Sequence, residues 1–180
     1  GVERAAVVHS STTYGFDCSY LADSVERFSD RLTGVFSVNV LEPDAPSAMR
    51  RWVSRGCTGM RIFVRGSTIK DPWLAIDDPR ILPCYQLAGE LGLSVANNVT
   101  EASFGQLENL LTRFPGVNFI LDHLGSVDFS DGPPYNKANP LWRLARFPNL
   151  FLKIATRNFR EAAEGSSTAQ QVCERLVSEF

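Results

Sequence analysis

Val117-Asn118-Phe119-Ile120-Leu121-Asp122-His123-Leu124-Gly125 opens as an apolar run and stops at an Asp-His pair followed by glycine. The run suits a strand buried on both faces of a parallel sheet. An imidazole delivered at the carboxyl end of such a strand stands where α/β proteins gather their chemistry. The structural alternative is a core histidine whose two ring nitrogens are satisfied by neighbours. The chain has only two histidines, and the place of this one favours a site.

Outward from that stretch the same pattern repeats. Strand-like runs are read at 5–9, 34–40, 58–64, 93–99, 117–123 and 150–155. Between them lie helical patterns. Asp17 is an N-cap candidate for a helix with Cys18, Leu21, Ala22, Val25 and Phe28 on one face. Asp44, with Pro46 in the first turn, starts a second helix that Gly56 ends. Asp78-Pro79 opens a third, stopped by Gly92; Leu107 to Phe114 marks a fourth; Pro140 to Phe147 a fifth; and Thr168 caps the last. Alternating strands and helices imply a parallel sheet, either doubly wound or closed as a (β/α)₈ barrel. A nucleotide-binding sheet would show a glycine-rich first turn, and neither GxGxxG nor GxxxxGK[ST] occurs. The reading is therefore a TIM-type (β/α)₈ barrel with about six of its eight units present, one domain over residues 1–180.

Composition narrows the partners. Of the 180 residues 44% are apolar, net charge is −2, and no basic stripe or block appears, so nucleic acid and anionic membranes have no electrostatic support. No apolar run is long enough to span a membrane. The four cysteines form no CxxC and sit in apolar segments. They read as reduced packing residues of a cytosolic protein rather than a disulfide frame or zinc site. There is no initiator Met or signal peptide before the first strand, and the last helix has no C-cap, so both ends read as cut.

A barrel brings the polar residues at its strand ends to one pocket. The candidates are Ser11, Arg61, Asn98, His123, and Lys153 or Arg157. Ser11 has the alternative of satisfying turn amides, and Asn98 that of a strand-end turn residue. Lys153 could point inward or snorkel outward. Arg61, between Met60 and Ile62, must meet a carboxylate of the protein or of a ligand. Arginines around one histidine suggest an anionic substrate. The imidazole could polarise a carbonyl, orient water, or act as acid or base beside a carboxylate. By strand alternation Asp122 should point away from His123, towards the helices, and His9 reads as structural. The segments 65–78 and 126–139 both follow strands; the second is too polar for core and reads as a cover over a ligand or a plain solvent loop. Only His123 is well placed to bind metal, and no HxH or HExxH is present.

Gly59-Met60-Arg61-Ile62 after Arg55-Gly56, Leu93-Ser94-Val95 before Asn98, Phe119-Ile120-Leu121-Asp122-His123-Leu124-Gly125 and Pro148-Asn149-Leu150-Phe151-Leu152-Lys153 follow one another in a familiar order. Over essentially the whole chain this resembles the amidohydrolase-2 (amidohydrolase-related) family, nearest the 2-pyrone-4,6-dicarboxylate lactonase and muconolactone-type branch. The resemblance implies a distorted (β/α)₈ barrel and hydrolysis at its carboxyl face. It implies that His123 polarises the carbonyl, that Arg61 and Arg157 hold carboxylates, and that Ser11, Asn98 and Arg65 contact substrate. The family's first-strand H-x-H pair and last-strand Asp are not in this sequence, which is expected to run from about the second strand to just before the eighth. Asn98 stands where zinc-dependent relatives carry a histidine, which favours the metal-free lactonase type; a divalent metal such as zinc would need ligands from the missing strands. Without the family's Asp as base, these 180 residues alone are expected to be nearly inactive.

The leading expectation is thus a hydrolase of a small anionic lactone or carboxylate. The alternatives are a metal-dependent decarboxylase of the same family, a non-catalytic carboxylate-binding remnant, and a doubly wound nucleotide-binding domain. Two open strand edges are expected to pair, swap or aggregate, which points to a homo-oligomer.

Overall fold

A computed structural model of the protein describes residues 1–64 and 73–180. Its strands are β1 (Ala5–Val8), β2 (Leu32–Phe36), β3 (Cys57–Phe63), β4 (Ser94–Asn98), β5 (Asn118–Asp122) and β6 (Leu150–Lys153). The α-helices among the described residues are α1 (Ser11–Tyr14), α2 (Ser19–Arg27), α3 (Ala45–Ser54), α4 (Leu82–Glu90), α5 (Phe104–Arg113), α6 (Asn139–Trp142), α7 (Thr156–Glu164) and α8 (Ala169–Glu179).

The six strands lie in sequence order, each parallel to the next. A doubly wound sheet reverses its strand order at a switch point. No reversal occurs here, so the sheet curls as six units of a βα barrel.

Register decides which side chains meet the helices. Met60, Val95, Phe119 and Leu150 form one row across four strands, each at most 6% exposed. Met49 and Trp52 of α3, Tyr85 of α4 and Leu107, Leu110 and Leu111 of α5 are buried with that row in one core. Asn97 belongs to this helix-facing side and is fully buried. Its Oδ1 accepts from the Tyr85 hydroxyl at 3.1 Å and its Nδ2 donates to the Val95 carbonyl at 3.1 Å, so its polarity is satisfied locally. Arg61, Ala96, Ile120 and Phe151 form the neighbouring row, whose side chains point to the other, inner face.

Local signals account for most boundaries. Asp17 Oδ1 accepts from the Ser19 amide at 3.0 Å and the Ser19 hydroxyl at 2.6 Å, holding the start of α2. Thr168 and Gln171 form a capping box on α8. Gly56 (φ +87°) and Gly92 (φ +66°) end the turns after α3 and α4 in a conformation that glycine takes freely.

Three expectations change. The helix read from Asp78-Pro79 starts at Leu82, because those residues form the preceding turn, with the Ile81 amide donating to the Asp78 carbonyl at 3.0 Å. The helix read over 140–147 is split into α6 and a 3₁₀ segment. The segment 126–139 is neither plain solvent loop nor too polar for core. Val127, Phe129, Tyr135 and Ala138 are buried. Phe129 meets Tyr135 edge-on, and both lie against Trp142. Tyr135 shares a 2.6 Å hydrogen bond with Ser167. The polar residues face outward, where Lys137 pairs with Asp128 at 2.9 Å.

The four cysteines are free; Cys18, Cys57 and Cys84 are buried. Burial pushes all three of those thiols up, Cys57 to about 11, so they stay protonated packing groups. Among the described residues no helix is long and apolar enough to cross a membrane.

Candidate active site

The carboxyl ends of β3, β5 and β6 bring three charged side chains into contact. Asp122, fully buried, lies 2.8 Å from Arg61 Nε through Oδ2 and 3.2 Å from Lys153 Nζ through Oδ1. Arg61 thus meets the protein's own carboxylate. These are close ion contacts without hydrogen-bond alignment: Arg61 Nε and both Asp122 oxygens make no hydrogen bond to the described residues. A buried carboxylate held only by charge still has lone pairs to offer.

This placement corrects the sequence reading of Asp122, which put its side chain among the helices. Asp122 lies two residues after Ile120 and so shares its inner face with Arg61. The strict alternation assumed for His123 does not apply, because β5 ends at Asp122. His123 has φ +56°, and its ring leaves the pleat.

The His123 imidazole is half-buried, and its Nδ1 is enclosed with no hydrogen-bond partner among the described residues. Its pKa falls below the ordinary 6.5, first because burial penalises the charged ring. The Asp122 charge opposes that shift, while Arg157, Lys153 and Arg61 reinforce it. The ring is therefore neutral near pH 7.

Arg157 is in the first turn of α7, not on β6, and donates from Nη2 to the Ser126 hydroxyl at 2.8 Å. Asn98 ends β4 on the inner side, two residues after Ala96. Ser11 lies in α1, beyond β1, four strands from β5, and its carbonyl accepts from the Gly15 amide. Arg65 lies outside the described residues. His9 is structural as read: it is 4% exposed, with Nε2 hydrogen-bonded to the Gly15 carbonyl at 2.9 Å. Arg61 and Lys153 thus face Asp122, and these two cations with Arg157 act on the His123 ring; Ser11 lies beyond β1.

Asp122 and Asn158 are the residues that sequence reasoning missed. The Asp-His pair at a strand end was the available signal for Asp122. Asn158, 1% exposed, donates from Nδ2 to the His123 carbonyl at 3.1 Å, and no spacing rule points to it.

The family model described as Amidohydrolase matches residues 1–178. No curated protein matches the chain. Among solved structures, one from Pseudomonas putida, provisionally named a 2-pyrone-4,6-dicarboxylic acid hydrolase, superposes with TM-score 0.73 at 19% identity over 97% of this chain. One from Acinetobacter baumannii, also provisionally named so and holding citric acid, gives 0.70 at 16% identity over 90%. A 5-carboxyvanillate decarboxylase from Novosphingobium aromaticivorans, with bound manganese, gives 0.58 at 12% identity over 95%. The chain spans 62%, 61% and 68% of those structures' own lengths.

Among the described residues no group of three or more His, Cys, Asp or Glu side chains stands together as a set of metal ligands. The carboxylate nearest His123 is already faced by two cations, which repel a third positive charge.

Proposed function

Because the chain belongs to the amidohydrolase family, we propose that its protein hydrolyses a small lactone carrying carboxylate groups. The observation that carries this reading is the set of cations, Arg61, Lys153 and Arg157, around one buried carboxylate and one neutral imidazole. Three positive charges against the one of Asp122 leave an excess that attracts an anion. The citric acid in the A. baumannii structure supports a polycarboxylate ligand for this fold.

In this reading Arg157 and the terminal nitrogens of Arg61 bind the substrate's carboxylates. The neutral ring of His123 donates one N–H to the lactone carbonyl oxygen, where negative charge grows as water adds. Water oxygen bonds to the carbonyl carbon, the ring C–O bond breaks, and a proton passes to the leaving oxygen. In this reading Asp122 holds Arg61 and Lys153 in place. The base that takes the water's proton is expected on the last barrel strand, as the family resemblance implies.

The test is to incubate the native protein from its own source, rather than the 180 residues alone, with 2-pyrone-4,6-dicarboxylate and with its dimethyl ester, following ring opening by mass and absorbance. The expected result is turnover of the diacid far above that of the ester. Equal turnover of both, or none of any carboxylated lactone, contradicts the reading.

A further inference from the structure

His123, Leu124, Gly125 and Ser126 carry φ values of +56°, +55°, +63° and +56°. One residue in this left-handed region is ordinary in a turn; four in succession, three with side chains, are resisted by contacts of Cβ with the backbone. Such a run persists only where its surroundings over-determine it, and those places cluster at active sites.

Packing fixes its middle. Leu124 and Gly125 are buried. At Gly125 an added Cβ would come within 2.5 Å of the Phe104 ring, so the turn lies directly on α5. Its two ends are held by consecutive residues of α7. Arg157 Nη2 donates to the Ser126 hydroxyl at 2.8 Å. Asn158 Nδ2 donates to the His123 carbonyl at 3.1 Å, and the same side chain's Oδ1 accepts from the Ala155 amide at 3.0 Å, closing the first turn of α7. One amide therefore spends its acceptor on its own helix and a donor on the residue that carries the imidazole.

We propose that Asn158 is a positioning residue, whose hydrogen bond to the His123 carbonyl locks the left-handed turn and aims the imidazole into the site. It touches no reacting atom. It makes the ring's place depend on how α7 is seated, and α7 also carries Arg157. That the aimed ring is catalytic rests on the function proposed above; that Asn158 aims it does not.

Asn158→Asp separates the two bonds. A carboxylate still accepts from the Ala155 amide, so α7 keeps its first turn, but it has no N–H for the His123 carbonyl. These 180 residues hold two histidines, so in a nitrogen-correlated NMR spectrum of this chain their ring signals are readily assigned. His9, bonded to the Gly15 carbonyl, serves as internal control. In folded Asn158→Asp the His123 ring signals should move while those of His9 stay. With substrate, kcat should fall by about 100-fold with KM little changed, the pattern of a displaced catalytic group. His123 signals superposing on those of the unsubstituted protein would overturn the proposal. A protein that turns over no lactone would fail the functional reading and leave this spectral comparison decisive. Should Asn158→Asp not fold, hydrogen exchange in the unsubstituted protein decides. Side-chain amide protons of Asn158 exchanging far more slowly than those of the exposed Asn118 support the bond, and equal rates refute it.

Discussion

At His123 the sign of the pKa shift fixes a pH dependence. Burial and three nearby cations disfavour the charged ring, so its folded pKa lies below 6.5. The unfolded chain then binds more protons than the folded one between those two values, and stability rises with pH there. That contribution is fully present above 6.5 and is lost as pH falls towards the folded value. Activity that needs the neutral ring should follow the same limb. NMR titration of His123 and the pH–rate profile should agree on a midpoint below 6.5, and a midpoint above 6.5 would refute the assigned environment. Part of this site was legible in the residues. An arginine between Met60 and Ile62 had to find a carboxylate, and it has. Which carboxylate was hidden, because alternation was carried one residue past the end of β5. Backbone that turns left-handed at a non-glycine residue leaves no mark in hydrophobic patterning.

Among the elements, the best-marked join is between β5, β6 and α5. Asn149, 7% exposed, points its Nδ2 at the carbonyls of Leu111, Phe114 and Val117, at 3.2, 3.2 and 3.3 Å. Its own carbonyl accepts from the Phe119 amide at 2.8 Å. One side chain thus ties the end of α5 to the entry of β5 and the start of β6. Asn149→Ala strands those carbonyls and should cost about 1–3 kcal/mol, read as a lowered urea midpoint with unchanged slope. A midpoint equal to that of the unsubstituted protein would show that water replaces the amide without loss. The strands were legible because their apolar runs are short and bounded by Gly, Pro and Asn. Helix α7 was not. Thr-Arg-Asn-Phe-Arg-Glu-Ala-Ala-Glu offers few large apolar residues to periodicity, and the helix is seated instead by buried Asn158 and Ala162. The packing of 126–139 was missed for a similar reason. Its polar residues outnumber Val127, Phe129, Tyr135 and Ala138, yet those four face one way.

For the whole molecule, the alternation of strands and helices made a parallel sheet legible but left both a doubly wound sheet and a barrel. The absence of a glycine-rich first turn pointed to the barrel, and the sequential strand order excludes the doubly wound alternative. It also leaves β1 and β6 each with one unpaired side in the described sheet. Beside β6, Phe147, Leu150, Phe151, Ile154, Val177 and Phe180 line a groove of about 520 Å³. Phe151 is 50% exposed and Val177 82%. A free parallel edge beside exposed apolar side chains recruits other chains. The 180-residue chain should therefore self-associate at micromolar concentration in sedimentation velocity, and Phe151→Lys with Val177→Glu should shift it towards monomer. A unsubstituted chain sedimenting as monomer throughout would show that this edge is closed to association.

As proposed above, neutral His123 drives ring opening of a carboxylated lactone. The most direct test is the initial rate of 2-pyrone-4,6-dicarboxylate hydrolysis by the native protein and by its His123→Asn variant. Asparagine tolerates the left-handed backbone at this position, so the turn is kept while the imidazole is lost. The expected result is a fall in kcat of about 10²–10³, the loss typical of one carbonyl-polarising donor, at unchanged melting temperature. A folded His123→Asn protein with the native rate would contradict it.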